Sequence, residues 1–576
     1  MFIEEQQNAN KRNNFNKYTF DHFINNQFGG KVGDEPKWST FSHNGVLFPD
    51  PYKKHNIPLI YDEQQIVLKD ESEEYATIYA KYLDTEYINS TRFNKNFFKD
   101  WKKILIKDGH KEITDLSKCD FKLIYQYVLD EKMKIKNLTK EEKQILKDKK
   151  DKVEQKYKMA IVDDKKQEVG NYKLEPPNLF LGRGCHPQSG RIKKRIMPID
   201  ITINIDDKSK IPIPQKPYEH MSWLNVVHDN TSEWIASWKD DITGKYKYVW
   251  LGSKSDFKAN SDLNKFETAR KLKNNIDYIK TTNYNNLYSN DIKTKQLATA
   301  LYLIDNFALR VGNEKGSDEA DTVGVCSLRV EHILLLDDNQ VKLDFLGKDS
   351  IRYQNTVTVE EIVYKNLANF MNGKKKKDDL FDLINPSQLN TYISSILEGL
   401  TAKVFRTYNA SHLFQTEINK INKEFIVEGN KKMDDKYMQE LLNAYNKANI
   451  KVALLCNHQK NVSKNFNEQI KKFDEQINKL KQKKEIYENK KNDNNKRKIN
   501  VLVKKTNEKI KDIKNKKNFK IEMKNLSLDT SKTNYIDPRI TISFLKKHDV
   551  PIEKIFSQTL RDKFFWAMDV DSNWIF

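Results

Sequence analysis

The chain has 576 residues, length for about three or four domains, and its 38% hydrophobic and 11% aromatic content can fill several cores, which excludes a disordered protein. A net charge of +20 points to a polyanionic partner, nucleic acid ahead of a membrane surface, against the plainer reading of a lysine-rich solvated exterior. Cys119, Cys185, Cys326 and Cys456 stand far apart without metal-ligand spacing, and no segment has membrane-spanning or secretory character, so a soluble intracellular protein is expected, with no disulfide framework, no metal and no membrane partner.

Residues 1–33 are Asn-rich and weakly patterned, which predicts a mobile arm. From Pro36, "KWSTFSHNGVLFPDPY" mixes aromatics with turn residues, and "YATIYAKYLDTEY" reads as helix. "LTKEEKQILKDKKDKVEQKY" (138–157) is a charged helix opened by Thr139, with Glu142 in capping-box position. A loop follows, "EPPNLFLGRGCHPQSGRIKKRI", then short alternating strands at "DITINI" and "KYKYVWLG". From about residue 256 to 460 the pattern is mainly helical. Between 461 and 525, Phe466, Ile470, Phe473, Ile477 and Leu480 repeat at steps of four and three, and Ile499, Val503, Thr506, Ile510 and Ile513 do the same. Two apolar seams around an Asn-rich break predict an antiparallel coiled-coil hairpin, with arms on the order of 30–38 Å long at a rise of about 1.5 Å per residue.

Five residues on this framework could do chemistry, each with a bland alternative. "LATALYLIDNFALRVGNEK" predicts a helix with Leu297, Leu301, Ile304, Ala308 and Val311 on one stripe, stopped at Gly312–Asn313. Arg310 falls at that terminus, where an arginine also simply suits the helix dipole. "VKLDFLGKDSIRYQNTV" alternates as a β-hairpin with Lys348 near its tip, solvated or probing a groove. Arg406 lies between Phe405 and Tyr408 in "GLTAKVFRTYNAS". In "NIKVALLCNHQK", Val452, Leu455 and His458 fall at steps of three, so His458 continues a helix's apolar face, as a core histidine or a site residue. Tyr535, in "SKTNYIDPRI", follows a small polar run and precedes a helix that Asp537 caps and Pro538 opens. Among 26 tyrosines an ordinary half-buried one is the plainer reading, but this one sits on no apolar stripe.

A phenol, two guanidiniums, a lysine and an imidazole are what metal-free phosphoryl transfer on a nucleic-acid backbone requires. Guanidiniums match non-bridging oxygens bidentately, the imidazole adds a hydrogen bond, the lysine can protonate the departing sugar oxygen, and the phenol is the covalent nucleophile. An aryl oxygen, with a pKa of about 10, leaves more readily than an alkoxide, so the strand can be resealed without ATP. No Walker loop or two-metal cluster is evident.

"SKTNYIDPRI", "ALRVGNEK", "FLGKDSIRY", "TAKVFRTYNAS", "LCNHQ" and "GRGCHP", with "ADTVGVCSLRVEHI" and "NKNFFKDW", together resemble eukaryotic DNA topoisomerase I, the type IB class, from about Pro36 to Phe576. The resemblance implies an α+β multidomain clamp on DNA. Its parts would be a mixed α/β cap over residues 34–150 and 151–255, and a mainly helical catalytic lobe related to tyrosine recombinases over 256–460. A coiled-coil linker at 461–525 and a small helical carboxyl-terminal domain at 526–576 would complete it. It further implies Tyr535 as the nucleophile that takes a 3′-phosphate, Arg310, Arg406 and His458 as transition-state stabilisers, and Lys348 as general acid. Arg183, Lys315, Asp349 and Asn534 match positions close to the cleaved strand. The implied partner is duplex DNA, preferably supercoiled, with no cofactor; the enzyme is expected to be a monomer, with a camptothecin-type inhibitor site at the nick. Nuclear localisation follows from the family. Host cytoplasm is the alternative for a virus-encoded enzyme, since only the Asn-rich arm stands where the family carries a longer charged region. Leu181 occupies a position where arginine is common.

A tyrosine recombinase uses a similar residue set but joins two specific sites, and a catalytically dead DNA-binding scaffold would share the basic surface. The coiled coil and large cap favour the relaxing enzyme over the first; the complete five-residue set argues against the second.

Overall fold

The computed structural model describes residues 36–313, 315–316, 319–426, 435–460, 462–463, 465–490 and 496–576. The Asn-rich arm and residues 491–495, at the centre of the break between the two seams, lie outside them. Helices dominate, accompanied by small sheets of two to four strands, so the chain is a mixture of α and β structure. It divides into two compact units: Met1–Asn264 with Gly312–Thr391 and Asp562–Trp566, and Lys265–Val311 with Tyr392–Arg561 and Ala567–Phe576.

In the first unit a four-stranded sheet runs, in spatial order, Asn225–Val227, Ile201–Asn204, Trp234–Lys239 and Tyr246–Trp250. Two of these strands lie where the period-two pattern predicts them. Ile201 and Ile203 alternate into a core shared with Ala236, Trp238 and Val249. A second core forms around the helix Thr91–Asp108, whose Phe93, Phe97, Trp101 and Leu105 recur every four residues and are fully buried. The Ser90 hydroxyl caps its start by accepting from the Phe93 N–H, and Gly109 in the left-handed region (φ 96°) ends it. The Phe97 ring lies 4.2 Å from Tyr79 and 5.4 Å from Trp101. Truncating a tryptophan packed like Trp101 to alanine costs about 3–5 kcal/mol.

That helix also holds the loop "LGRGCHPQSG". Arg92 donates to the Cys185 carbonyl at 2.6 Å, and the Asn96 amide donates to the Pro187 and Ser189 carbonyls, both at 2.8 Å. Gly190 (φ 91°) passes so close that a Cβ there would stand 2.1 Å from the Phe93 carbonyl oxygen, which admits only glycine. Leu181 packs against the same core, so a position where the family resemblance leads one to expect a basic side chain here serves apolar packing.

Thr139 opens the helix Lys140–Glu154 with both bonds of the predicted capping box, at 3.1 and 2.8 Å. The predicted hairpin is present as strands Gln340–Leu346 and Arg352–Thr358, in register from Gln340↔Thr358 to Leu346↔Arg352. Val341, Leu343 and Phe345 are buried, as alternation requires, and Phe345 stacks on Tyr353 at 5.2 Å.

The second unit is helical. Its core joins Phe405 and Phe414 of the helix Ala402–Ile426, Tyr445 of the helix Asp435–Leu455, and Ile540 and Phe544 of the helix Pro538–Lys547, all buried. Tyr445 meets Phe414 edge-on at 5.3 Å and spends its hydroxyl on Thr541 at 2.9 Å. Helices Phe466–Asn489 and Lys496–Glu522 pair along the predicted seams. Phe466, Ile477, Ile499, Thr506 and Ile510 are buried, and the other five seam residues are half-buried. Lys517 reaches Asp474 across the pair at 2.5 Å.

Candidate active site

Tyr535 caps the carboxyl end of a short helix, Leu528–Asn534. The small polar run before it is therefore helical. Its N–H donates to the Ser531 carbonyl at 3.0 Å, and its own carbonyl accepts from the Ser411 hydroxyl at 3.0 Å. Two residues on, the buried Asp537 carboxylate caps the helix Pro538–Lys547 by accepting from the Arg539 N–H at 3.0 Å, as Asp-Pro predicts. The same carboxylate takes two bonds from the Arg539 guanidinium, which reaches Glu267 at 2.6 Å and lies 4.5 Å over the Trp574 ring. The backbone on both sides of the phenol is therefore fixed.

Three cation or imidazole side chains of the same unit converge on that phenol. Arg310 donates to the Tyr535 hydroxyl at 3.0 Å. The Arg406 guanidinium lies 5.1 Å from the ring centroid, and the His458 ring 5.0 Å from it at an interplanar angle of 30°. Arg406 is buried and braced by the carbonyls of Ala308 and of Cys456, the latter at 2.9 Å. The Ala308 carbonyl is available because the helix Ile292–Phe307 stops there, with Ala308 in the left-handed region (φ 48°). Arg310 therefore lies beyond the helix, which ends earlier than the predicted stop at Gly312. His458 is likewise past the end of its helix: the chain leaves at Leu455 and turns at Asn457 (φ 50°). His458, 4% exposed, then joins a short extended pairing, its carbonyl accepting from the Ser527 N–H at 2.8 Å. The expectation that it continues the helix face is corrected; its burial is as expected.

The electrostatics follow from this crowding. Burial opposes ionisation of Tyr535, but Arg406 and Arg310 outweigh it and hold the phenol below the ordinary tyrosine value. Burial first, then Arg406 and Arg310, push His458 down to about 3, so its imidazole is neutral. Arg406 Nε and His458 Nε2 are buried without a hydrogen-bond partner among the described residues. Two unspent nitrogens beside an activated phenol suit a tetrahedral anion.

Of the remaining expected site residues, Asn534 is exposed next to the phenol, its amide donating to the Thr530 carbonyl at 3.2 Å. Lys348, Arg183, Lys315 and Asp349 belong to the first unit, and all four are exposed. Lys348 stands at the hairpin tip, where Asp349 (φ 67°) and Ser350 (φ 57°) turn the chain. Arg183 forms an ion pair with Asp349, and Ser350 donates to the Arg183 carbonyl at 3.4 Å, so loop and tip are joined. Sequence reasoning missed Ser411 and Ser531 as supports. Both lie inside the quoted motifs, yet no spacing rule marks a serine as a brace. Among the described residues, no cluster of three or more His, Cys, Asp or Glu side chains could hold a metal ion, and no helix is long and apolar enough to cross a membrane.

Comparison with known proteins matches residues 36–251 to the DNA binding fragment of eukaryotic DNA topoisomerase I, 254–491 to its catalytic core and 507–576 to a C-terminal topoisomerase domain. The chain is 44% identical over 561 residues to DNA topoisomerase 1 beta of Arabidopsis thaliana, covering 94% of this chain and 60% of that protein. It is 43% identical over 557 residues to DNA topoisomerase 1 of Caenorhabditis elegans, covering 93% and 67%. With DNA topoisomerase 1 of Homo sapiens the identity is 42% over 559 residues, covering 93% and 71%. The chain thus spans about 60% of the length of the Arabidopsis relatives.

Proposed function

The chain belongs to the eukaryotic DNA topoisomerase I family, and on that premise we propose that it relaxes positively and negatively supercoiled duplex DNA by transient breakage of one strand. The Tyr535 oxygen attacks a backbone phosphorus and the P–O5′ bond breaks. The products are a 3′-phosphotyrosine and a free 5′-hydroxyl; the phenolic proton passes to solvent, and Lys348 supplies one to the leaving oxygen. Arg310, Arg406 and the Nε2–H of His458 take up charge on the non-bridging oxygens, each such donor contributing on the order of 10²–10³-fold. Torsion in the DNA then drives rotation, and the 5′-hydroxyl reverses the attack. Arg183, Lys315, Asp349 and Asn534 are assigned to contacts near the cleaved strand.

One observation carries the reading: Arg310, Arg406 and His458 meet at a single phenol, whose pKa the two arginines lower against the opposing effect of burial. The division into cap (34–150 and 151–255), catalytic lobe (256–460), linker (461–525) and nucleophile-bearing tail (526–576), with clamping on DNA, belongs to the same proposal. So do a monomeric state, nuclear localisation and a camptothecin-type site at the nick. The test is a supercoiled plasmid without special sites, in EDTA and without ATP. The wild type relaxes it catalytically, whereas Tyr535→Phe binds duplex but does not nick. Relaxation by the Phe variant, or an absolute need for ATP or a divalent metal, would overturn the mechanism; recombination without relaxation would favour the recombinase.

A further inference from the structure

His458 has one ring nitrogen engaged and one waiting. Nδ1 lies 2.7 Å from the Ser531 hydroxyl, and Nε2 is buried without a partner among the described residues. Burial and the two arginines keep the ring neutral, and a neutral imidazole carries one N–H, on either nitrogen. With the proton on Nδ1, Nε2 would present a lone pair to an anionic oxygen, which repels it. With the proton on Nε2, Nδ1 must accept, and the Ser531 hydroxyl is the donor in place. Ser531 is fully buried, and its hydroxyl has no other hydrogen-bond partner among the described residues. A helical serine can return its hydroxyl to a carbonyl one turn back; here the hydroxyl turns to the imidazole instead. The Ser531 carbonyl meanwhile accepts from the Tyr535 N–H at 3.0 Å.

We infer that Ser531 is a positioning residue: its hydroxyl donates to His458 Nδ1, fixes the Nε2–H tautomer and aims that N–H at a non-bridging oxygen of the scissile phosphate. The inference rests on the proposed strand-cleavage reaction. One serine then sets the imidazole through its side chain and the nucleophile through its backbone.

The experiment is single-turnover cleavage of a duplex oligonucleotide by the full chain. Ser531→Ala should slow cleavage by about 3–10-fold, the worth of one hydrogen bond, without changing duplex affinity, and Ser531→Thr, which keeps the hydroxyl, should restore most of the rate. In a His458→Gln background, whose amide donates without a tautomer to choose, adding Ser531→Ala should have no further effect. An equal loss in both backgrounds would show a merely structural serine and overturn the inference. Should the alanine variant fold poorly, ¹⁵N-histidine spectra of the wild type decide. The signals lost in His458→Gln should report a protonated Nε2 and a bare Nδ1; the reverse pattern overturns the inference. If Tyr535→Phe still cleaves, the topoisomerase reading itself has failed, independently of either result.

Discussion

The Ser411 hydroxyl donates to the Tyr535 carbonyl at 3.0 Å and accepts from the buried N–H of Asp537 at the same distance. Ser411 sits on the helix that also carries Arg406, so the Tyr535 backbone and the Arg406 guanidinium share one rigid support. Ser411→Ala leaves a buried N–H unsatisfied and should cost about 1–3 kcal/mol of stability. Cleavage should fall more than duplex binding. Thermal unfolding and single-turnover cleavage check both; unchanged cleavage in a destabilised variant would confine Ser411 to folding.

Acid should destabilise the protein through histidines that are neutral when folded. His458 is pushed down to about 3 and His43, buried with Nε2 at 2.8 Å from the Asn204 carbonyl, down to about 4. Each binds fewer protons folded than unfolded between its folded value and the unfolded value near 6.5. Stability is therefore lost as pH falls through that window, by up to about 1.4 kcal/mol per pH unit for each proton. Urea midpoints of wild type and His458→Gln between pH 7 and pH 4 should diverge, the glutamine variant losing less.

Lys348 can be distinguished from the arginines by changing the leaving group. A substrate with sulfur at the bridging 5′ position departs as a thiolate, with a pKa of about 8.5 by analogy with cysteine, and barely needs a proton donor. Lys348→Ala should be slow on normal DNA and recover most of its rate on the thio substrate. Arg310→Ala and Arg406→Ala should recover much less. Equal rescue of all three would make the lysine an electrostatic contact.

Ile477 and Ile510 are buried in the paired helices Phe466–Asn489 and Lys496–Glu522, and the described side chains around the Tyr535 ring, those of Arg310, Arg406 and His458, come from elsewhere. Replacing either by alanine should cost about 2 kcal/mol locally, the low end for a buried isoleucine. Hydrogen exchange across both helices should accelerate while single-turnover cleavage stays constant; a parallel fall in cleavage would give the rod a catalytic duty.

What the sequence made legible was whatever local chemistry decides. Thr139 with Glu142, Asp537 with Pro538, the alternation around "LGKDS" and the two seams each imply their structure within a few residues, and each is present. The helix ends at Ala308 and Asn457 were not legible, because both turn through left-handed conformations that no glycine announced. Those two turns set the approach of Arg310 and His458, so the candidate residues could be named while their geometry could not. Ser531 and Ser411 escaped for a different reason: each serves a partner far along the chain, and sequence periodicity carries no trace of such pairs.

The rod has a topological consequence at its base. Lys460 donates to the Asn525 carbonyl at 2.8 Å, and Ser527 to the His458 carbonyl at 2.8 Å, with Gln459 bridged to Leu526 between them. The chain therefore enters and leaves the rod through one stapled gate, so that the excursion 461–524 begins and ends at hydrogen-bonded neighbours. Matched heptads added to both arms would lengthen the paired helices away from the gate while keeping their apolar seam in phase. The rod's span can drift by whole heptads without disturbing His458 on one side of the gate or Ser531 and Tyr535 on the other. Length there is nearly free to vary, whereas the register of the gate is not.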